Sequence, residues 1–189
     1  MRYILAVLGI LAVTILAIFL LVRHPSSTTS ANTTTQQPAN LLDHDNSNSA
    51  VVMTIQGRLV GEDKYQAVRI TVTQSLRTVD ILSGYEENTA KTESFPNTPA
   101  AYATFIRALN LSNFTKVRKG MPTDERGYCP IGNRFIYQLS ESGHDVQRLW
   151  NDSCSNAEGT FAGSGSLIRE LFQGQITDYN KFIVGTNIF

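Results

Sequence analysis

The sequence predicts an α+β fold: an antiparallel sheet with two helices packed on one face, preceded by a single transmembrane helix. Three observations carry this expectation. Residues 3–22 form one apolar run without a charge, YILAVLGILAVTILAIFLLV. Farther on, apolar and polar residues alternate with the period of two that a half-buried strand requires, both before and after residue 98. Around residues 98–109 and 166–172 the apolar residues instead fall three and four apart, the spacing of one helix face.

As a helix rising 1.5 Å per residue, the apolar run covers about 30 Å, the thickness of a bilayer's hydrocarbon core, and it satisfies its backbone polar groups internally. A cleaved export signal has a shorter apolar centre followed closely by small residues. Here the run meets Arg23, His24 and Pro25, so residues 1–24 are expected to stay as a signal anchor. Arg2 and the amino terminus nearly balance Arg23, and charge alone does not orient the helix. The short stub before the run and a cysteine pair far behind it place the N-terminus in the cytoplasm and the domain outside the cytoplasmic membrane, as a single-pass protein.

Residues 25–50 are rich in Ser, Thr, Asn and Gln, with Leu41 and Leu42 as the sizeable apolar side chains. So little hydrophobic surface does not offset the entropy of ordering, and a flexible polar linker is predicted. Asp43-His44-Asp45-Asn46 lacks the glycine and distal glutamate of a calcium loop. Residues 51–189 suit one hydrophobic core. The chain has 16 basic and 16 acidic side chains, which removes the electrostatic footprint of a nucleic-acid partner.

Within the domain, Val51, Met53, Ile55 and Leu59 alternate with polar neighbours, as do Val68, Ile70 and Val72. A third run over residues 76–82 completes a three-stranded antiparallel meander. The polar residues 84–94 read as a surface connection. Thr98-Pro99 supplies a helix cap and a first-turn proline ahead of Tyr102, Phe105, Ile106 and Leu109, a stripe that reads as core packing. Residues 114–118 read as a short strand, and residues 134–140 and 145–150 as a hairpin about Glu141-Ser142-Gly143-His144. Ser166 is placed to cap a last helix carrying Leu167, Ile168, Leu171 and Phe172 and ending near Gly174. The tail holds Phe182, Ile183, Val184, Ile188 and Phe189, too apolar to be left wholly in water, and part of it is expected to dock.

Cys129 and Cys154 are the only cysteines, and they bracket the hairpin so that its outer ends meet. A disulfide is expected there, closing a loop worth about 3 kcal/mol in the chain-entropy picture. Zinc would need two further ligands, yet His24, His44 and His144 are scattered, so no metal site and no cofactor is assigned.

The series Cys129-Pro130-x-Gly132, Leu149-Trp150-x-x-Ser153-Cys154, Gly159-Thr160-Phe161-x-Gly163 and Phe172-x-x-Gln175-Ile176-x-Asp178-Tyr179 resembles that of uncharacterised bacterial extracytoplasmic domains, often found behind one anchor helix. That resemblance implies an address and no chemistry. A fainter one, over the hairpin alone, is to the subtilisin-inhibitor-like family, in which a Cys-Pro pair opens a protease-binding loop. It implies that Pro130, Ile131, Gly132 and Asn133 form the binding loop, although that family's other disulfide is absent and a helix continues beyond Cys154.

Lys116, Arg118 and Lys119, with Arg126 nearby, make the densest basic stretch and are candidate contacts for an anionic glycan or headgroup. The glycine-rich residues 159–166 lack the Lys-Ser/Thr of a P-loop and read as a turn and cap. Glu86-Glu87 and Asp124-Glu125 are sequence neighbours, not carboxylates opposed across a substrate, and His144 at a loop tip is badly placed for a triad. No catalytic residue is assigned. The expectation is a binding or structural module of the cell envelope that meets the membrane through residues 3–22 and an unidentified envelope protein or polymer through exposed loops. The alternatives are a protease inhibitor acting through the loop after Cys129 and an enzyme whose residues converge only in three dimensions.

Overall fold

The computed structural model describes residues 38–154 and 158–188; the expected anchor, most of the spacer and Phe189 lie outside them. Among the described residues no helix is long and apolar enough to cross a membrane. Six strands, β1 (Ser49–Gln56), β2 (Gln66–Thr73), β3 (Leu76–Ser83), β4 (Asn88–Pro96), β5 (Arg134–Glu141) and β6 (His144–Asp152), form one sheet in the order β4-β3-β2-β1-β5-β6. All neighbours are antiparallel. Among the described residues three α-helices accompany it: α1 (Pro99–Leu111), α2 (Gly165–Gln173) and the single turn α3 (Tyr179–Phe182). The α+β class is as the alternation and the helical stripes predict.

Register explains which residues share a face. Val51 lies between Val72 and Leu139, Met53 between Ile70 and Tyr137, and Ile55 between Val68 and Phe135, so three apolar rows cross the sheet centre. Tyr102, Phe105, Ile106 and Leu109 of α1 and Ile168 and Phe172 of α2 join the same cluster, which puts these helices on that face. Phe105 meets Phe172 edge to face at 5.1 Å between centroids. Each such side chain, fully buried, contributes about 1.5–3 kcal/mol. Leu41, in a 3-10 turn over Leu41–His44, is also at 0% exposure in this core, whereas Leu42 is exposed.

Local chemistry sets the boundaries. The Ala101 N–H donates to Thr98 Oγ1 at 3.2 Å and Pro99 follows the cap, as expected for α1. The cap of α2 is Ser164 and not Ser166: the Ile168 N–H donates to the Ser164 carbonyl, placing Ser166 inside the first turn. Ser142 and Gly143 have φ of 52° and 81°, so the β5-β6 hairpin turns on two left-handed residues, the pairing that matches strand twist.

Two further expectations are corrected. Residues 84–94 are no mere connection, because Asn88–Pro96 pair with β3 as an edge strand. Every side chain from Asn88 to Ser94 is exposed, so this stretch has no apolar alternation to display, and its backbone pairing with β3 defines it. Residues 114–118 make only one isolated bridge, Val117 to Phe161. There the glycine-rich segment spends its backbone donors inside the fold, Phe161 N–H on Trp150 O, Ala162 N–H on Lys116 O and Ser164 N–H on Ser112 O. The tail docks through Phe182 and Ile188, both buried, while Val184 is 79% exposed.

Buried phenols make this core sensitive to alkali. Desolvation raises the pKa of Tyr102, Tyr137 and Tyr179 above the ordinary tyrosine value, and that of Tyr137, despite the opposing pull of Arg169, to about 12. The folded chain keeps these protons at a pH where the unfolded chain sheds them. Their contribution is therefore intact below about pH 10 and lost as pH rises through the folded values. Stability should fall above about pH 10 by about 1.4 kcal/mol per pH unit for each retained proton. Denaturant unfolding read together with tyrosinate absorbance checks this; phenols that all ionise near pH 10 in a chain still folded would contradict it.

Candidate functional site

An antiparallel sheet with helices on one face normally turns polar residues to water on the other. Here the second face is dry at one end. Trp150, Ile136, Thr54, Arg134, Ala67 and Leu82 all project to that side by register, and each is at most 3% exposed. The cover is residues 120–133 together with residues 57–65.

Side chains fasten this cover to the strands. Trp150 Nε1–H donates to Pro122 O at 2.9 Å, and the Tyr128 ring lies 5.0 Å from the indole. Arg148 grips Glu125 with two bonds, at 2.8 and 2.6 Å. Burial opposes the Arg148 charge, but the Glu125 carboxylate more than offsets it, leaving the guanidinium pKa raised. The expected disulfide joins Cys129 to Cys154 with 5.7 Å between Cα atoms.

Around that bond the candidate loop is a closed turn. Gly132 N–H donates to Cys129 O, Asn133 N–H to Ser153 Oγ and Ser153 N–H to Asn133 O. A Cβ on Gly132 would stand 2.6 Å from Cys129 Sγ and 2.7 Å from Ser153 Oγ, so only glycine fits under the sulfurs. Pro130 contributes its carbonyl to the Leu59 N–H at 2.8 Å, tying the two parts of the cover together, and Ile131 stands out at 86% exposure.

Between the cover and the strands remains a recess of about 400 Å³. Arg134 and Gln56, directly opposed in the β1-β5 register, belong to its wall with Tyr65 and Glu87; Leu59, Tyr85, Glu125, Arg126 and Gly127 complete it. Tyr65 and Tyr85 stack at 4.2 Å between centroids. The Tyr85 hydroxyl donates to Val60 O at 2.6 Å, and its N–H to Glu62 Oε1, which fixes the rim. Burial raises the pKa of the Tyr65 hydroxyl while the Arg134 guanidinium, by its charge and by a hydrogen bond to that hydroxyl, works against the rise.

The charges of the recess are unevenly matched. Glu87 is paired with Arg69 and also accepts from Gln56 Nε2. Glu125 has Arg148, and Arg126 has Asp124, whose carboxyl the Arg126 bonds hold below the usual range. Arg134 is only 3% exposed, yet among the described residues it has no carboxylate within ion-pair distance. One terminal nitrogen donates to Gly57 O at 3.1 Å, and Nε makes no hydrogen bond within the protein. Its cross-strand neighbour Asp152 accepts from the Cys154 N–H.

Of the residues singled out from sequence, Arg126 lines the recess, and the turn of Pro130, Ile131, Gly132 and Asn133 lies beside it through the Leu59 bond. Lys116, Arg118 and Lys119 are exposed and do not line it. His144 is exposed at the hairpin end opposite Glu141. Arg134, Tyr65 and Tyr85 were not foreseen. Their signal was faint: a cation opening the apolar strand RFIYQL, and tyrosines bordering two turns. Two other hollows, about 530 and 220 Å³, meet at Asp178 and Lys181 beside α3 and hold no buried, unneutralised charge. Among the described residues no group of His, Cys, Asp and Glu is placed to hold a metal ion. No protein-family model matches this chain, and no curated protein matches it.

Proposed function

We propose that this chain is a binding module of the bacterial cell envelope, tethered by residues 3–22 to the cytoplasmic membrane with its domain outside, and taking its ligand at the covered end of the second sheet face. One observation carries the reading: the disulfide-closed cover does not pack flush on the sheet but leaves a recess lined by aromatic and charged side chains. Few, convergent polar groups beside apolar ones are what a recognition site needs. A disulfide in a chain of this size suits an oxidising compartment, and the apolar run supplies the tether. The exposed Ile131 turn adds a second contact point next to the recess.

The protease-inhibitor alternative draws no support from this geometry. Such a loop must enter a protease as an extended strand, and Pro130 and Ile131 here occupy the centre of a closed turn begun by Cys129 at φ 46°.

Full-length chain carrying a photo-crosslinking side chain at Leu59, Ile131 or Thr92 tests the reading in bacterial cells, alongside a reporter active only outside the cytoplasm, fused after Phe189. Leu59 and Ile131 should give adducts that Thr92, on the exposed strand β4, does not, and the reporter should be active. The same adducts from all three positions, or none from any, would overturn the binding site; an inactive external reporter would overturn the topology.

A further inference from the structure

We infer that the recess binds a carboxylate borne on a small apolar or aromatic body, with Arg134 as its anchoring cation; this rests on the binding reading given above. Among the described residues, the other charges that line the recess, Glu87, Glu125 and Arg126, each have an opposite charge within ion-pair distance, and Arg134 does not. A buried guanidinium whose partners, the Gly57 carbonyl and the Tyr65 hydroxyl, carry no charge, with Nε unbonded, is an uncompensated cation in a low-dielectric wall. A planar carboxylate completes it, because its two oxygens match the guanidinium fork.

The rest of the lining narrows the class. Glu87 and Glu125 stand in the same wall, so a dianion such as a phosphate monoester meets two carboxylates where a monocarboxylate carries half the charge. Stacked Tyr65 and Tyr85 and the half-exposed Leu59 offer the ligand's body an aromatic and aliphatic surface. A volume of about 400 Å³ suits a small acid or the last one or two residues of a peptide. Both sources present the same chemistry, a free carboxylate beside a hydrophobic group.

The full chain in nanodiscs can be titrated by calorimetry with 3-phenylpropionate, 3-phenylpropanamide, phenyl phosphate, and a short acetylated peptide ending in phenylalanine with a free or an amidated terminus. We expect 3-phenylpropionate or the free-terminus peptide to bind at least tenfold more tightly than its amide, and phenyl phosphate to bind more weakly than either acid. Tighter binding of the peptide than of the small acid assigns the source as a carboxyl terminus; the reverse assigns a free acid. Arg134→Gln should abolish the preference for acid over amide. Because Arg134 is buried and that variant can unfold, Tyr85→Ala at the exposed rim serves as the second variant, with an expected loss of about fivefold. Equal binding of acid and amide, tighter binding of phenyl phosphate, an acid preference retained in folded Arg134→Gln, or unchanged affinity in Tyr85→Ala would each overturn the inference. Adducts at Leu59 with no carboxylate binding would sink this inference and leave the binding module standing; absence of both would sink the module itself.

Discussion

Trp150→Ala is expected to lower the unfolding free energy by about 3–5 kcal/mol, the largest effect of any single truncation on the second face of the sheet. The indole is at 0% exposure and is the largest fully buried side chain of the domain. Removing it empties the space between β6 and the cover. It also leaves the Pro122 carbonyl without its 2.9 Å donor and strips Tyr128 of its ring partner. The cover should therefore loosen along with the core. Equilibrium denaturation gives the first effect; faster hydrogen exchange at the amides of residues 120–128 gives the second. Trp150→Phe, which keeps most of the volume and loses the N–H, should cost about 1–3 kcal/mol. If Trp150→Ala stayed within about 1 kcal/mol of the parent, the indole would not be the anchor of the cover.

Replacing Cys129 and Cys154 together by serine should destabilise the domain by about 3 kcal/mol, or about 6–12 °C in Tm for a domain of this size. The two cysteines are 25 residues apart, and the loop they close contains the whole β5-β6 hairpin. Most of the loss arises in the unfolded chain, which gains the freedom that the bond denies it. The native turn keeps its backbone bonds from Gly132, Asn133 and Ser153, so the variant should still fold. Thermal unfolding of the double variant, and of the parent with and without reductant, should give matching shifts. A Tm unmoved by either treatment would remove the disulfide from the account of stability.

How much of this was visible in the chain itself depends on whether burial left a pattern. Val51, Met53 and Ile55 announced β1 because they alternate with Val52, Thr54 and Gln56, of which only Thr54 is buried, under the cover on the second face. Asn88 to Ser94 announced nothing, since an edge strand wet on both sides has the composition of a loop. Residues 114–118 looked like a strand because Phe114 and Val117 pack inward, yet their backbone bonds run to an irregular segment. Ser164 and Ser166 are equally good caps by composition, and tertiary contact of Ser164 with Ser112 selects the first. The disulfide was legible from the hairpin it brackets. The recess was not: its residues come from separate stretches of chain, and Arg134 meets Gln56 only through a pairing of β1 with β5 that no local signal encodes. Glu87 and Glu125 were noticed as members of acidic doublets, whereas their meaning lies in the arginines opposite, Arg69 and Arg148.

Strand order has a kinetic corollary. β1 runs between β2, its immediate successor, and β5, which arrives only after β3, β4 and α1 have been made. Synthesis proceeds from the amino end, so the nascent four-stranded meander exposes the raw flank of β1 until the hairpin bearing Arg134 emerges to zip against it. Long-range closure of this kind slows the search for the native topology. Through that interval Val51, Met53 and Ile55 are the segment most open to capture by another chain, while the lysine and glutamate of β4 keep the opposite border inhospitable to strangers.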